Sequence, residues 1–232
     1  MSARVLQAVA VVLWPLMIVA NNFLHPEVEL TAESYLAAVL EAPWEWYVVH
    51  LGAALAGLLS IASAFSVRSL VRTKGRRLAN AGAVFAAIAG VSLAIAFSIE
   101  GGLMRVAATL DHEAALKATD EHLSSPEAYL IPVGILGIVI SLVLLAAALL
   151  VARRIPTWQA VLYGVAGGVT LAPSAPGSPV GVVTFGLLTI ASLLVARHLL
   201  VRDQPAEGQA AASPTDPGIE AGAHAQLSPH GR

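Results

Sequence analysis

Residues 128–152 have the sequence AYLIPVGILGIVISLVLLAAALLVA. This run holds no charged side chain, and it exceeds the roughly 20 residues that a helix needs to cross the hydrocarbon core of a bilayer. Backbone amides find no water in that core, so a crossing segment must be a helix or a strand of a closed barrel. A continuous apolar run without alternation is typical of the helix.

Apolar runs of similar character recur along the chain. They predict six spans, at residues 5–24, 46–67, 78–99, 128–152, 155–172 and 180–200. The fifth span is short and contains glycine, and prolines crowd the turn after it, which predicts a tight hairpin between the last two spans. Residues 201–232 lack apolar periodicity, so they predict a disordered tail. The predicted fold class is an all-α, six-helix transmembrane bundle (residues 1–200) followed by that tail.

The composition agrees with a chain dissolved in lipid. Apolar residues make up 57% of the chain and charged residues 12%, against about 45–50% and about 25% in soluble domains. This excludes an ordinary cytosolic enzyme, a disordered regulator and a nucleic-acid binder. The absence of cysteine excludes disulfides, iron–sulfur clusters and thiolate metal sites.

The distribution of basic residues predicts the orientation. One set of span ends carries Arg4, Arg68, Arg72, Lys74, Arg76, Arg77, Arg153, Arg154, Arg197 and Arg202, and the other set carries Arg105 and Lys117. Positive residues favour the cytoplasmic side. We therefore expect both termini in the cytoplasm. The excess of arginine over lysine is typical of GC-rich bacterial genomes, so we expect a bacterial inner membrane.

Small residues four apart predict close helix packing, because lipid supplies no hydrophobic drive between helices. The stripes lie on the second, third and fifth spans, and the first two predict a tight hairpin. They comprise Gly52, Ala56, Ser60 and Ala64; Gly82, Ala86, Gly90, Ala94 and Ser98; and Gly164 and Gly168.

Two ionisable residues stand at comparable depths within the spans. His50 lies one turn inside the second span, and Glu100 ends the third. An ionisable group inside a span is costly unless it has a partner, and it indicates function by default. If the two spans pair, these side chains meet. The pair then serves as a proton-linked or metal-binding site, or as a structural hydrogen bond near the headgroups.

The loops predicted on the outer side contain two amphipathic segments. Thr31 caps the first, in which Tyr35, Leu36, Val39 and Leu40 form an apolar stripe that covers the bundle mouth or lies on the membrane. The second is one helix over residues 103–123. Trp44, Trp46 and Tyr47 read as an interfacial aromatic belt. Candidate metal ligands on this side are His25, His50, Glu100, Asp111, His112 and His122, although the zincin spacing is missing.

The segment 46–50, the pair Glu100-Gly101 and the preceding His25-Pro26 resemble those of bacterial six-span integral membrane proteins of this size. The resemblance covers the six spans and not the tail. It implies a compact helical membrane domain and brings no activity, so no residue role follows from it.

Three functions follow as hypotheses. The first is a non-enzymatic domain that binds a membrane-protein partner or a second copy of itself, motivated by the small-residue stripes and the lack of catalytic motifs. The second is a transporter or channel for a cation, proton or small solute that uses His50 and Glu100. The third is a metal-dependent membrane enzyme with a site on the outer face. No cofactor is predicted beyond a possible divalent metal, and the lipid bilayer is the one partner common to all three.

Overall fold

The structure is a computed structural model, and it describes residues 1–26, 28–29, 31–170 and 179–201. These residues form eight α-helices and one short 3₁₀ helix, and no strand occurs among them. The α-helices are α1 (Ala3–Leu24), α2 (Ala32–Glu41), α3 (Pro43–Ser69), α4 (Arg76–Ala107), α5 (His112–Leu123), α6 (Leu130–Ala152), α7 (Thr157–Val169) and α8 (Pro179–Val201); the 3₁₀ helix is Pro126–Tyr129.

Five of these helices are long and apolar enough to cross a membrane, namely α1, α3, α4, α8 and the stretch Pro126–Ala152 that includes α6. The fifth predicted span is shorter than expected. Pro156 precedes α7, whose 13 residues rise only about 20 Å. Residues 171–172 of that predicted span, and the turn after it, lie outside the described residues, as does the predicted tail from residue 202.

Six helices form a closed ring. In the order α1, α3, α4, α6, α7, α8, each contacts the next, and α8 returns to α1; α3 also touches α6 and α8. We call the end where α1 and α4 finish and α3 and α6 begin the acidic end. The opposite end is called the basic end; there the last turn of α3 carries Arg68, and the α3–α4 connection carries Arg72 and Lys74.

Helices α2 and α5 contact each other at the acidic end, and both also contact α4. Tyr35, Leu36 and Val39 of α2 are buried as the apolar stripe predicts, whereas Leu40 is exposed. Tyr35 and Val39 join Val28, Trp46 and Met104 in a small apolar cluster. The two helices therefore cover this end of the ring.

The prediction of one helix over residues 103–123 is wrong. Helix α4 continues eight residues past the predicted span, to Ala107, because Met104 and Ala107 remain buried. The chain then turns, and Asp111 begins a new helix by accepting a hydrogen bond from the Ala114 backbone N–H at 3.0 Å. The two helices contact each other through the buried Thr119 and Met104.

Candidate functional site

The buried pair at the acidic end is formed by α3 and α4, which pack side by side. His50 Nε2 lies 3.6 Å from Glu100 Oε2, and the two side chains are 3% and 6% exposed. This distance suits an ion pair and is longer than a hydrogen bond. Gly101 allows the approach, because a Cβ there would lie 2.9 Å from His50 Cβ.

The other imidazole nitrogen of His50 fixes the orientation of the ring. Nδ1 lies 2.8 Å from the Trp46 backbone oxygen, and a carbonyl only accepts, so Nδ1 carries the hydrogen. Nε2 is left to face Glu100. An opposite charge beside each group offsets part of the cost of burying it.

Aromatic rings surround His50. The Trp46 ring stacks on it with centroids 4.5 Å apart, and the ring of His25 lies 5.2 Å and that of Phe97 6.0 Å away. Tyr35 meets Trp46 edge-on at 5.5 Å. The assignment of Trp46 to an interfacial belt is therefore wrong, because the side chain is 1% exposed.

Trp44 and Tyr47 remain at the periphery. Their rings lie under the Arg105 guanidinium, whose central carbon is 4.7 Å from the Trp44 centroid and 5.4 Å from that of Tyr47. This cation–π contact joins the first turn of α3 to the last turn of α4.

Two neighbours of the pair lie outside the five helices that are long and apolar enough to cross a membrane. Burial lowers the pKa of His25, whose Nδ1 lies 2.7 Å from the Pro26 backbone oxygen. Burial also raises the pKa of the Tyr35 phenol, and the negative charge of Glu100 and a hydrogen bond to it add to the shift. Both side chains are therefore uncharged at neutral pH.

A cavity of about 620 Å³ extends from this cluster into the ring, within the range of small-molecule sites. Its walls follow α1 from His25 to Trp14 and α3 from Val49 to Ser60. Eleven residues of helix correspond to about 16 Å, which gives the depth of the cavity along these helices. We call it the upper cavity. Apolar side chains of α4 and α6, including Leu93 and Ile135, complete most of its wall.

Two hydrogen-bond donors in the wall of the upper cavity have no partner among the described residues. They are Trp14 Nε1 and Asn21 Nδ2, both buried. Residues seven apart lie on one face of a helix, so both belong to the face of α1 that meets the cavity. A buried donor without an acceptor costs free energy, and a bound molecule with an acceptor would relieve it.

A second, much smaller cavity of about 10 Å³, the lower cavity, lies next to the upper one. Trp14, Ser60 and Ile138 line both. The wall of the lower cavity also contains Ser63, Ser141 and Tyr163, and the Ser63 hydroxyl hydrogen-bonds to the Tyr163 phenol.

Polar contacts continue towards the basic end. Gln159 lies four residues before Tyr163 in α7, and both side chains are buried. The Gln159 side-chain oxygen is 2.7 Å from Nε2 of His198 in α8. Polar groups from α3, α6, α7 and α8 thus follow the lower cavity, all of them buried except the half-buried His198. We call Ser60, Ser63, Ser141, Tyr163, Gln159 and His198 the polar column.

The structure gathers four of the six predicted metal-ligand candidates. His25, His50, Glu100 and His122 line the upper cavity. Asp111 caps α5 and is exposed, as is His112. Among the residues that the structure describes, no three such side chains are placed to hold a metal ion together, and the divalent-metal site stays a hypothesis.

The predicted packing residues divide by what they touch. Gly90 lies against the backbone of Gly57 and against Ile61, whereas Gly82 faces Ser141 and Leu145 of α6.

The other predicted packing residues differ in burial and in their neighbours. Four of them are buried, namely Ala56, Ser60, Ala64 and Ala86, and Ala94 meets Gly57. Gly52 lies under Asn21 of α1, and Gly164 faces Ala146. No atom lies within 4 Å of a Cβ added to Gly168, and Ser98 is exposed.

Sequence reasoning missed Trp14, Asn21, Tyr35 and Phe97 as cavity residues. Asn21 and Asn22 carried a signal, since two amides interrupt the apolar end of the first span. The aromatic residues carried none, because an aromatic ring is common in any span.

Comparisons of the chain with protein-family models, with curated proteins and with solved structures found no match. The site therefore has to be interpreted from its own geometry.

Proposed function

We propose that this is a proton-transporting protein of a bacterial inner membrane. It crosses the membrane six times, with both termini in the cytoplasm and α2 and α5 on the outer side. The charge asymmetry of the connections supports that orientation, and the contacts of α7 with α6 and α8 support its inclusion as a sixth, short span.

The observation that carries transport is the continuation of the upper cavity by the polar column. Polar side chains inside a membrane bundle are costly and mark ion or proton pathways. Here the buried hydroxyls follow one another from Ser60 to Tyr163, and the Gln159–His198 contact lies one helical turn further on. Hydroxyl groups donate and accept hydrogen bonds at once, which proton transfer requires.

In this mechanism the upper cavity admits protons from the acidic end to the His50–Glu100 pair. The lower cavity is the narrow part of the route, because its volume is about that of a single water molecule site. Leu142 and Leu145 flank it. Among the hydroxyl groups of the lower-cavity wall, the Tyr163 phenol lies on the same helix as Gln159 and one turn from it, so we assign it the transfer between the two halves.

The test is proton flux into liposomes that contain the purified protein and a trapped pH-sensitive dye, with potassium and valinomycin clamping the membrane potential. The wild type should dissipate an imposed pH gradient faster than empty liposomes. Tyr163→Phe keeps the buried ring and removes the hydroxyl, and it should slow the flux about tenfold or more, the effect of a barrier about 1.4 kcal/mol higher.

Ser66→Ala is the matched control. The Ser66 hydroxyl donates to the Ala62 backbone oxygen of its own helix and belongs to neither cavity wall, so its loss should leave the flux unchanged. A wild type no faster than empty liposomes, or an unimpaired Tyr163→Phe protein, would refute proton transport by this route.

A further inference from the structure

The upper cavity has the properties of a binding site for an organic molecule. Its volume is far larger than a proton route needs, and most of its wall is apolar. The buried carboxyl group of Glu100 lies at one end, and Trp14 and Ile138 lie at the other. A molecule that fits this shape combines an apolar body with one polar group.

The charge at the acidic end selects the sign of that polar group. The described lining residues include the carboxyl groups of Glu100 and Glu127 and no lysine or arginine. The exposed acids among the described residues at this end are Glu29, Glu33, Glu41, Glu45, Asp111, Glu113, Asp120, Glu121 and Glu127, against the exposed bases Arg105 and Lys117. Such a field raises the local concentration of cations.

The aromatic wall favours the same sign. Trp14, Tyr35, Phe97 and Phe185 line the upper cavity. The faces of aromatic rings attract cations, most strongly where water is excluded. A cation that is too large or too weakly hydrated to need water can therefore remain in this cavity, where a small inorganic ion would lose its hydration shell without enough oxygen ligands to replace it.

We propose that the upper cavity binds a lipophilic organic cation, with its charge beside Glu100 and its apolar groups among the aromatic and aliphatic side chains of the wall. His50 and the cation then compete as the positive partner of the same carboxylate. This inference adds a ligand class to the proposed transporter, and it concerns equilibrium binding, which is measured separately from proton flux.

The probe is tetraphenylphosphonium, followed with a selective electrode in equilibrium dialysis against the protein in lipid nanodiscs, with empty nanodiscs as background. Tetraphenylborate has the same shape and the opposite charge. We expect saturable binding of the phosphonium and none of the borate above background. Equal binding of the two ions would overturn the inference.

Glu100→Gln should weaken phosphonium binding about tenfold or more, and Glu207→Gln, which removes a carboxyl group that follows α8 in the sequence, should leave it unchanged. Equal affinity of a folded Glu100→Gln protein and the wild type would refute the role of Glu100. If that variant fails to fold, Ala53→Phe serves in its place, since the added ring fills the cavity from α3. Full binding by the filled variant would place the ligand elsewhere.

The outcomes separate this inference from the proposed function. Phosphonium binding without proton flux would retain the site and reject transport. Proton flux without phosphonium binding would retain transport and reject the organic-cation site.

Discussion

The burial of His25 at the acidic end makes the stability of the folded protein depend on pH. Because folding lowers its pKa below the ordinary value of 6.5 through burial, the folded protein binds fewer protons than the unfolded chain in the window just below pH 6.5. Stability therefore rises with pH there, and it falls as the medium is acidified through 6.5 towards the lower folded pKa.

We expect the thermal midpoint of the detergent-purified protein, followed by tryptophan fluorescence, to drop between pH 7.5 and 5. The drop should be smaller in His25→Asn, which keeps an N–H donor near the position of Nδ1. His112→Asn changes an exposed side chain and should reproduce the wild-type drop. An identical pH response of His25→Asn and the wild type would exclude His25 as its source.

At the same scale, the His50–Glu100 contact was predictable because two ionisable residues in neighbouring antiparallel spans stood at similar depth. The burial of Trp46 was not, since a tryptophan at a span end suits a headgroup contact as well as a stacking contact. Its position followed from the packing of α2 over α3, which depends on long-range contacts.

At the scale of helices, the backbones of α3 and α4 lie against each other where Gly57 and Gly90 meet. A Cβ on Gly90 would lie 2.6 Å from Ile61 Cγ1 and would also strike the Gly57 backbone oxygen. The backbone oxygen cannot rotate away, so the helices would have to separate. Gly102, in the same helix, has no atom within 4 Å of an added Cβ.

Gly90→Ala should therefore destabilise the protein by about 1–3 kcal/mol through overpacking, partly offset by the higher helix propensity of alanine. Gly102→Ala should be neutral or slightly stabilising. The free energy of unfolding in mixed micelles with increasing dodecyl sulfate measures both. A Gly90→Ala protein as stable as Gly102→Ala would show that the contact is not tight.

The small-residue stripes predicted that the second and third spans pair, and α3 and α4 do contact each other. They could not assign each glycine to a neighbour, because a stripe records spacing along one helix and not which helix it meets. Gly52 meets α1, Gly82 meets α6 and Gly168 meets nothing within 4 Å. Helix lengths were less predictable still: α4 continues past Glu100 because α5 buries its last turn.

At the scale of the whole molecule, the lack of cysteine makes the orientation easy to test. A single cysteine can be introduced without first replacing native cysteines. Suitable positions are Ser124 at the acidic end and Thr73 at the basic end, both of which are exposed. A membrane-impermeant maleimide added to intact spheroplasts should label Ser124→Cys. It should label Thr73→Cys only after the membrane is opened.

Ala210→Cys, beyond α8, tests the number of spans. An even number puts this residue on the same side as Thr73, so it should also require an opened membrane. Labelling of Ala210→Cys in intact spheroplasts would mean that α7 does not cross. The hypothesis of a partner-binding domain stays a prediction beside the transporter, and co-purification in mild detergent is its test.

The upper cavity ends at Trp14, Ser60 and Ile138, about 16 Å from its His25 end. A rod-shaped ligand whose charged headgroup lies beside Glu100 can extend its tail only that far before the tail meets the Trp14 indole. In a homologous series of alkyl ammonium ions, each added methylene should tighten binding until the chain fills this depth. Beyond that point the headgroup would be held away from Glu100, so molecular length sets a cutoff for which guests the protein accepts.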